Sequence, residues 1–162
     1  MLSSSRPEAF FAPCPRGLEA LLAEELKSLG AGALSATAGG VGFSGNWETC
    51  YRANLWSRIA SRVLWRAGEF DYESEDDIYA AARGVDWFSL FDVNRTLRVY
   101  VTAQKSPLKS LEFVTLRVKD AVCDRFREQG DRRPSVDTLA PDMRIHAFLT
   151  ADRSVEQSRF GE

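Results

Sequence analysis

Residues 8–70 alternate between two hydrophobic periods, and the order of that alternation narrows the possible folds more than any other feature of the chain. Glu8 to Pro13 is a short apolar run closed by prolines and reads as a strand. Arg16 to Leu29 places Leu18, Leu21, Leu22, Leu26 and Leu29 at spacings that share one helical face, and Gly30 closes the helix. ALSATAGGVGFSG then reads as two small-residue strands about Gly39-Gly40, a pair able to adopt the positive φ of a tight hairpin. Asn46 is an N-cap for a second helix to about Ser61, with Leu55, Trp56 and Ile59 turned inward, and Val63 to Phe70 is again a strand. Strand, helix, strand, strand, helix, strand is the ferredoxin-like order.

A change of composition follows. Residues 71–104 hold seven acidic and three basic side chains, opening with the run DYESEDD. Ser74 caps a helix from Glu75 to about Arg83, with Asp76 and Asp77 in the first turn, where the helix dipole favours carboxylates. Trp87, Phe88, Leu90 and Phe91 form an aromatic knot, and RTLRVYVTA over Arg95 to Ala103 alternates as a strand does. Residues 105–133 reverse the balance, with eight basic and five acidic side chains, mostly on a helix from about Lys109 to Gln129. Its expected buried stripe is Leu111, Val114, Val118, Ala121, Val122 and Phe126, leaving Lys105, Lys109, Arg117, Lys119, Arg125 and Arg127 on the flanks and outside. Arg132 and Arg133 fall in a loop beside Pro134, Arg144 to Thr150 is a last strand, and the final twelve residues carry no periodic signal.

Several chemistries are poorly supported. Cys14, Cys50 and Cys123 are odd in number and widely spaced, which suits neither a disulfide framework nor a zinc site, and they are expected to be inert thiols. Gly40 to Gly45 spells GxGxxG, but the hairpin reading places it inside a strand, and no acidic residue stands about twenty positions on as a dinucleotide site requires. His146, the single histidine, lies in an expected strand without a nucleophile elbow, so no catalytic constellation emerges. Glu24 and Glu25 are adjacent on a helix and point about 100° apart, so they cannot share a substrate. No metal site is expected. With 23 acidic and 21 basic side chains, the chain is not polybasic, though a balanced total leaves room for a local basic surface. No apolar stretch approaches the length of a membrane span, and the N-terminus lacks a signal-peptide pattern, so a soluble, cytoplasmic protein is expected.

PRGLEALLAEELKSLGA, GGVGFSG, NLWSRIASRVL, LRVKDAVCDRF and RRPSVDTLAPDMRI, in that order and spacing, resemble the N-terminal half of bacterial ribosomal RNA guanine-N2 methyltransferases. The resemblance covers residues 10–150 approximately and implies an α+β chain in which a ferredoxin-like subdomain (1–70) precedes a THUMP RNA-binding domain (71–162). It puts Lys119 and Asp120 in the family's helix motif, and Arg133, Pro134, Asp137 and Asp142 in its following loop. That helix and loop belong to the part of THUMP implicated in holding structured RNA, which is read mostly through backbone and shape. Asp120, Asp137 and Asp142 are expected to cap or pair rather than to meet phosphate. Arg58 and Arg62, near the end of the second helix, are expected to be structural.

Members of the family continue into further strands and an S-adenosylmethionine-dependent catalytic domain. Here SVEQSRFGE departs from the next strand, so a THUMP domain incomplete at its C-terminus, with an open sheet edge, is the expectation. No Pro-Pro occurs, so the acceptor-base motif is missing, and the chain alone is expected neither to bind S-adenosylmethionine nor to methylate. The expected role is RNA binding in rRNA processing: capture of structured RNA, 23S ribosomal RNA by the resemblance, for a methyltransferase domain in cis or trans. Its candidate contacts are Lys105, Lys109, Arg117, Lys119, Arg125, Arg132 and Arg133. The alternative is a protein-interaction adaptor that docks on a separate modification enzyme through Trp87, Phe88, Leu90 and Phe91.

Overall fold

The computed structural model describes residues 6–150 and the backbone of 156–161. The chain folds as two compact units, Met1–Arg66 and Ala67–Glu162. In the first, the strands are β1 (Glu8–Pro13), β2 (Gly32–Thr37), β3 (Gly40–Gly45) and the start of β4 (Leu64–Phe70), with helices α1 (Glu19–Ser28) and α2 (Trp47–Trp56). Strand order is β2-β3-β1-β4, and β1 pairs antiparallel with both β3 and β4. This is the arrangement that the ferredoxin-like element order requires. Phe10, Ala12, Val41 and Phe43 from the sheet meet Leu22 and Leu26 of α1 and Ala53 of α2 in one core.

Local chemistry explains the connections. Gly39 takes φ +89° in the two-residue turn between β2 and β3. The Glu19 carboxylate accepts from Gly39 N at 3.0 Å and Gly17 N at 2.8 Å, tying that turn to the start of α1. The GxGxxG run is therefore strand β3, and its backbone pairs with β1 and β2 instead of facing a ligand. Asn46 caps α2 by accepting from Thr49 N at 2.8 Å.

The second helix is shorter than its sequence suggests. Glu25 of α1 accepts from Ser57 Oγ at 2.6 Å and from Arg58 N at 2.9 Å, and Ser57 turns extended at ψ 132°. A carboxylate more than thirty residues away thus ends the helix at Trp56. Leu55 and Trp56, expected inward, are 79% and 68% exposed because the helix buries Cys50 and Ala53 instead. Arg58 and Arg62 consequently lie in the segment after the helix.

The second unit holds α3 (Glu75–Arg83), a 3₁₀ turn at Trp87–Ser89, β5 (Leu97–Gln104), α4 (Leu111–Gly130), β6 (Met143–Thr150) and β7 (Glu156–Gly161). Ser74 and Asp77 form a reciprocal capping box at the start of α3. β5 and β6 run parallel across α4, and β7 pairs antiparallel with β6. The edge of β6 expected to be open is therefore covered by β7, a strand with a polar sequence whose pairing is made by backbone groups that composition does not report. Val114, Val118, Ala121 and Val122 of α4 are fully buried, as are Leu97 of β5 and Ile145, Ala147 and Leu149 of β6. Leu111, assigned to the buried stripe, is 37% exposed at the first position of α4, whereas Val114, three residues on, is fully buried. Trp87 is fully buried and donates from its indole nitrogen to Ala82 O at 2.7 Å.

A methyl group on Gly40 would meet the Phe11 ring and lie 2.7 Å from the carbonyl oxygen of Ala12, whereas one on Gly42 would find only ordinary contacts, the nearest at 3.7 Å. Gly40→Ala is expected to lower unfolding free energy by about 1–3 kcal/mol. Gly42→Ala should stay within about 0.5 kcal/mol of the parent. Urea denaturation of the two variants checks this, and equal effects would remove the steric reading of the glycine run.

Candidate nucleic-acid interface

Helix α4 carries or adjoins all seven candidate cations, and the structure distributes them among different environments. Lys105 and Lys109 are exposed in the connection between β5 and α4, with Lys105 held at φ 55°. Arg132 and Arg133 are exposed at the opposite end of the helix. A 20-residue helix separates the two pairs, a rise of about 30 Å. The seven do not form one patch.

Arg117 and Arg125 are engaged elsewhere. The Arg117 guanidinium lies 4.3 Å from the Tyr79 ring centroid and pairs with Asp76 at 2.9 Å. The Tyr79 hydroxyl donates to Asp124 at 2.6 Å, and Arg83 pairs with Glu128, so α3 and α4 are joined along a polar seam. Arg125 pairs with Glu128 at 3.1 Å and lies 5.7 Å from the Phe88 centroid. With side chains 26% and 35% exposed, both arginines do packing work that helix spacing alone does not disclose.

Lys119 and Arg133 are brought together. They line one cleft of about 250 Å³ with Cys123, Pro134, Ser135 and Val136. Ser135 and Val136, on its wall, are held by Leu97: Leu97 N donates to Ser135 O at 2.9 Å, Asp137 N donates to Leu97 O at 3.1 Å, and Leu97 and Val136 form a parallel bridge. Asp137 accepts from Leu139 N and Ala140 N, which folds the following turn, and Asp142 accepts from Thr96 N at 2.9 Å. Lys119 also reaches the neighbouring Asp120 at 3.0 Å. Burial pushes the Cys123 thiol up, so the sulfur on the cleft wall stays protonated and supplies no nucleophile. Two cations from different elements, beside a hydroxyl and a braced loop, suit an anionic oxygen cluster such as phosphate. Ser135 is not among the sequence candidates, since only the folded loop brings it to Lys119.

Arg132 faces a second cleft of about 240 Å³, lined by Phe88, Phe91, Asp92, Val93, Phe126, Gln129 and Gly130. The aromatic knot expected as an adaptor patch is therefore divided: Trp87 belongs to the core, whereas Phe91, buried, and Phe88, half-buried, line the cleft. On β5 and β6, Arg98, Tyr100 and His146 form a further stack, with Tyr100 and His146 centroids 4.9 Å apart and the Arg98 guanidinium 4.7 Å from the Tyr100 ring. No group of three or more metal-ligating side chains occurs among the described residues, and no described helix is long and apolar enough to cross a membrane.

Residues 9–64 match the RlmL ferredoxin-like domain and residues 72–155 match the THUMP domain. The chain is 46% identical over 148 residues to the ribosomal RNA large subunit methyltransferase K/L of Syntrophotalea carbinolica, covering 91% of this chain and 21% of that protein. It is 42% identical over 140 residues to the protein of the same name from Aeromonas salmonicida, covering 86% of this chain and 20% of that one. The chain thus spans about a fifth of the length of these curated relatives. Its fold is shared with a Listeria monocytogenes structure described as a predicted N6-adenine-specific DNA methylase, at TM-score 0.81 and 23% identity, covering 96% of this chain and 40% of that one.

Hydrogen bonds hold four carboxylates of this unit below their ordinary range. The donors are Arg83 and then Arg125 for Glu128, and the backbone N–H groups of Glu73 and Ser74 for Asp77. Ala140 and Leu139 backbone N–H groups do the same for Asp137, and Thr96 for Asp142. Each group takes up its proton at lower pH in the fold than in the unfolded chain. Their stabilisation is complete above the unfolded values of about 4 and is lost as pH falls through the folded ones. The urea midpoint is expected to drop between about pH 5 and pH 3, with a shallower drop in Glu128→Gln. A midpoint that stayed flat to the lower pH would contradict this account.

Proposed function

The chain belongs to the THUMP family, and from that premise we propose that it captures and orients structured RNA for methylation by a domain that these residues do not include. The observation that carries the proposal is the convergence of Lys119 and Arg133 on one braced cleft, where two cations and Ser135 face the same volume. Phosphate contacts of this kind supply affinity and register without sequence preference. Lys105, Lys109 and Arg132 extend the interaction beyond the cleft. Arg117 and Arg125 contribute through the seam that holds α4 in place.

The names of the relatives support ribosomal RNA of the large subunit, 23S ribosomal RNA, as the substrate, and a methyltransferase domain as the partner in cis or trans. Guanine N2 is the proposed acceptor and S-adenosylmethionine the proposed methyl donor of that partner domain, with no cofactor in this chain. In this reading the chain is the non-catalytic part of the enzyme and acts in the cytoplasm. Burial of Trp87 weakens the competing adaptor reading, because that one of its four contact residues cannot reach a partner without unfolding.

Titration against a ribosomal RNA hairpin and a DNA duplex of equal length, at several salt concentrations, tests the proposal. RNA is expected to bind more tightly, and Lys119→Glu and Arg133→Glu are each expected to reduce the logarithmic salt slope by about 0.7–0.9. Equal or negligible binding of the two nucleic acids would overturn it.

A further inference from the structure

The cleft beside Arg132 has a chemistry different from that of the phosphate cleft. Its floor is aromatic: Phe88 and Phe126 stand 4.8 Å apart at 69°, and Phe91 and Phe126 stand 5.1 Å apart at 50°. These edge-on and tilted contacts pack the three rings into one aromatic surface, with Phe91 and Phe126 buried and Phe88 half-buried. The rim is polar and prearranged. Arg132 Nη2 donates to Asn94 Oδ1 at 2.8 Å, and Asn94 donates to Asp92 Oδ1 from its backbone N at 2.8 Å and from Nδ2 at 2.7 Å. This chain of bonds fixes a guanidinium and a carboxylate on the same rim, leaving further N–H donors on Arg132 and the second oxygen of Asp92 directed by the same frame. Gln129 adds an amide, which both donates and accepts.

We infer that this cleft receives one unpaired RNA base, stacked on Phe88 and read at its edge by Asp92, Gln129 and Arg132. An aromatic floor with a few converging donors and acceptors matches a base, which has an apolar face and a polar edge. The volume, about 240 Å³, lies below the range of about 300–1,000 Å³ usual for sites that enclose a whole small molecule, and it suits the base alone. A phosphate would meet an apolar floor and the Asp92 carboxylate, both unfavourable. An apolar peptide side chain would use the aromatic floor but none of the further donors of Arg132, the second oxygen of Asp92 or the Gln129 amide. The inference rests on the RNA-binding reading and adds a ligand to it: consecutive arginines serve different parts of a nucleotide chain, Arg133 the backbone and Arg132 a base.

The test uses two RNA hairpins, one fully paired and one with a single bulged 2-aminopurine, whose fluorescence reports stacking. The full chain is expected to favour the bulged hairpin by about tenfold and to change its fluorescence. Phe88→Leu, which keeps apolar volume but loses the ring, should remove both effects and leave affinity for the paired hairpin unchanged. Arg132→Ala and Gln129→Ala alter exposed rim positions only and should each reduce the preference, so the outcome does not depend on one core variant. Lys119→Glu should weaken both hairpins alike. Equal affinity for the two hairpins, or a preference that survives Phe88→Leu, overturns the base cleft while leaving RNA binding intact. Binding to neither hairpin overturns both readings.

Discussion

The exposed chemistry of the second unit depends on the burial of one side of α4. Val114, Val118, Ala121 and Val122 are closed off completely, and Cys123 and Phe126 almost so, on a helix that packs against α3, β5 and the turn at Trp87–Ser89. That contact sets the rotation of the helix. With it set, Arg117 faces α3, Lys119 faces the loop after the helix, and Phe126 forms the floor of a cleft. Truncating buried aliphatic or aromatic side chains in such a stripe costs several kcal/mol, far more than any one of the surface ion pairs contributes. The cations are displayed by a hydrophobic device.

Charge on this helix therefore has two uses that the residue type does not distinguish. Arg117 and Arg125 lie over Tyr79 and Phe88 and bind carboxylates, so their positive charge is largely spent within the fold. Lys119 and Arg133 converge on open volume. An arginine over an aromatic ring and an arginine facing solvent look alike in a sequence, since the ring comes from another element. A near-balanced overall charge fits this division, because only a minority of the 21 basic side chains need to face a polyanion.

Elements governed by neighbours along the chain are legible in the amino-acid sequence. The ferredoxin-like order, the Asn46 and Ser74 caps, the Gly39 turn and the alternation of β6 all depend on residues within a few positions of one another. What is not legible there depends on distant partners. Helix α2 ends at Trp56 because Glu25 captures Ser57 and Arg58, and Leu55 and Trp56 face outward because the helix buries Cys50 and Ala53. Strand β7 is made by backbone pairing with β6 in a polar segment without a period of its own. Within the candidate site, Lys119 and Arg133 are legible as basic positions in a motif, whereas Ser135 joins them only through the path of the loop after α4, and Asp92 and Gln129 meet at the separate cleft beside Arg132.

Asp131, at φ 57°, ends α4 in the left-handed conformation, and the two arginines follow it directly. Their side chains enter different clefts although their Cα atoms are only about 3.8 Å apart, the span of one trans peptide. The turn thus acts as a ruler one peptide long between two clefts. Inserting or deleting a residue there could not retune one site and spare the other, because both arginines would change side together. A loop on a protein surface is ordinarily where length varies most freely; here a change of length would shift Arg132 and Arg133 against both clefts at once.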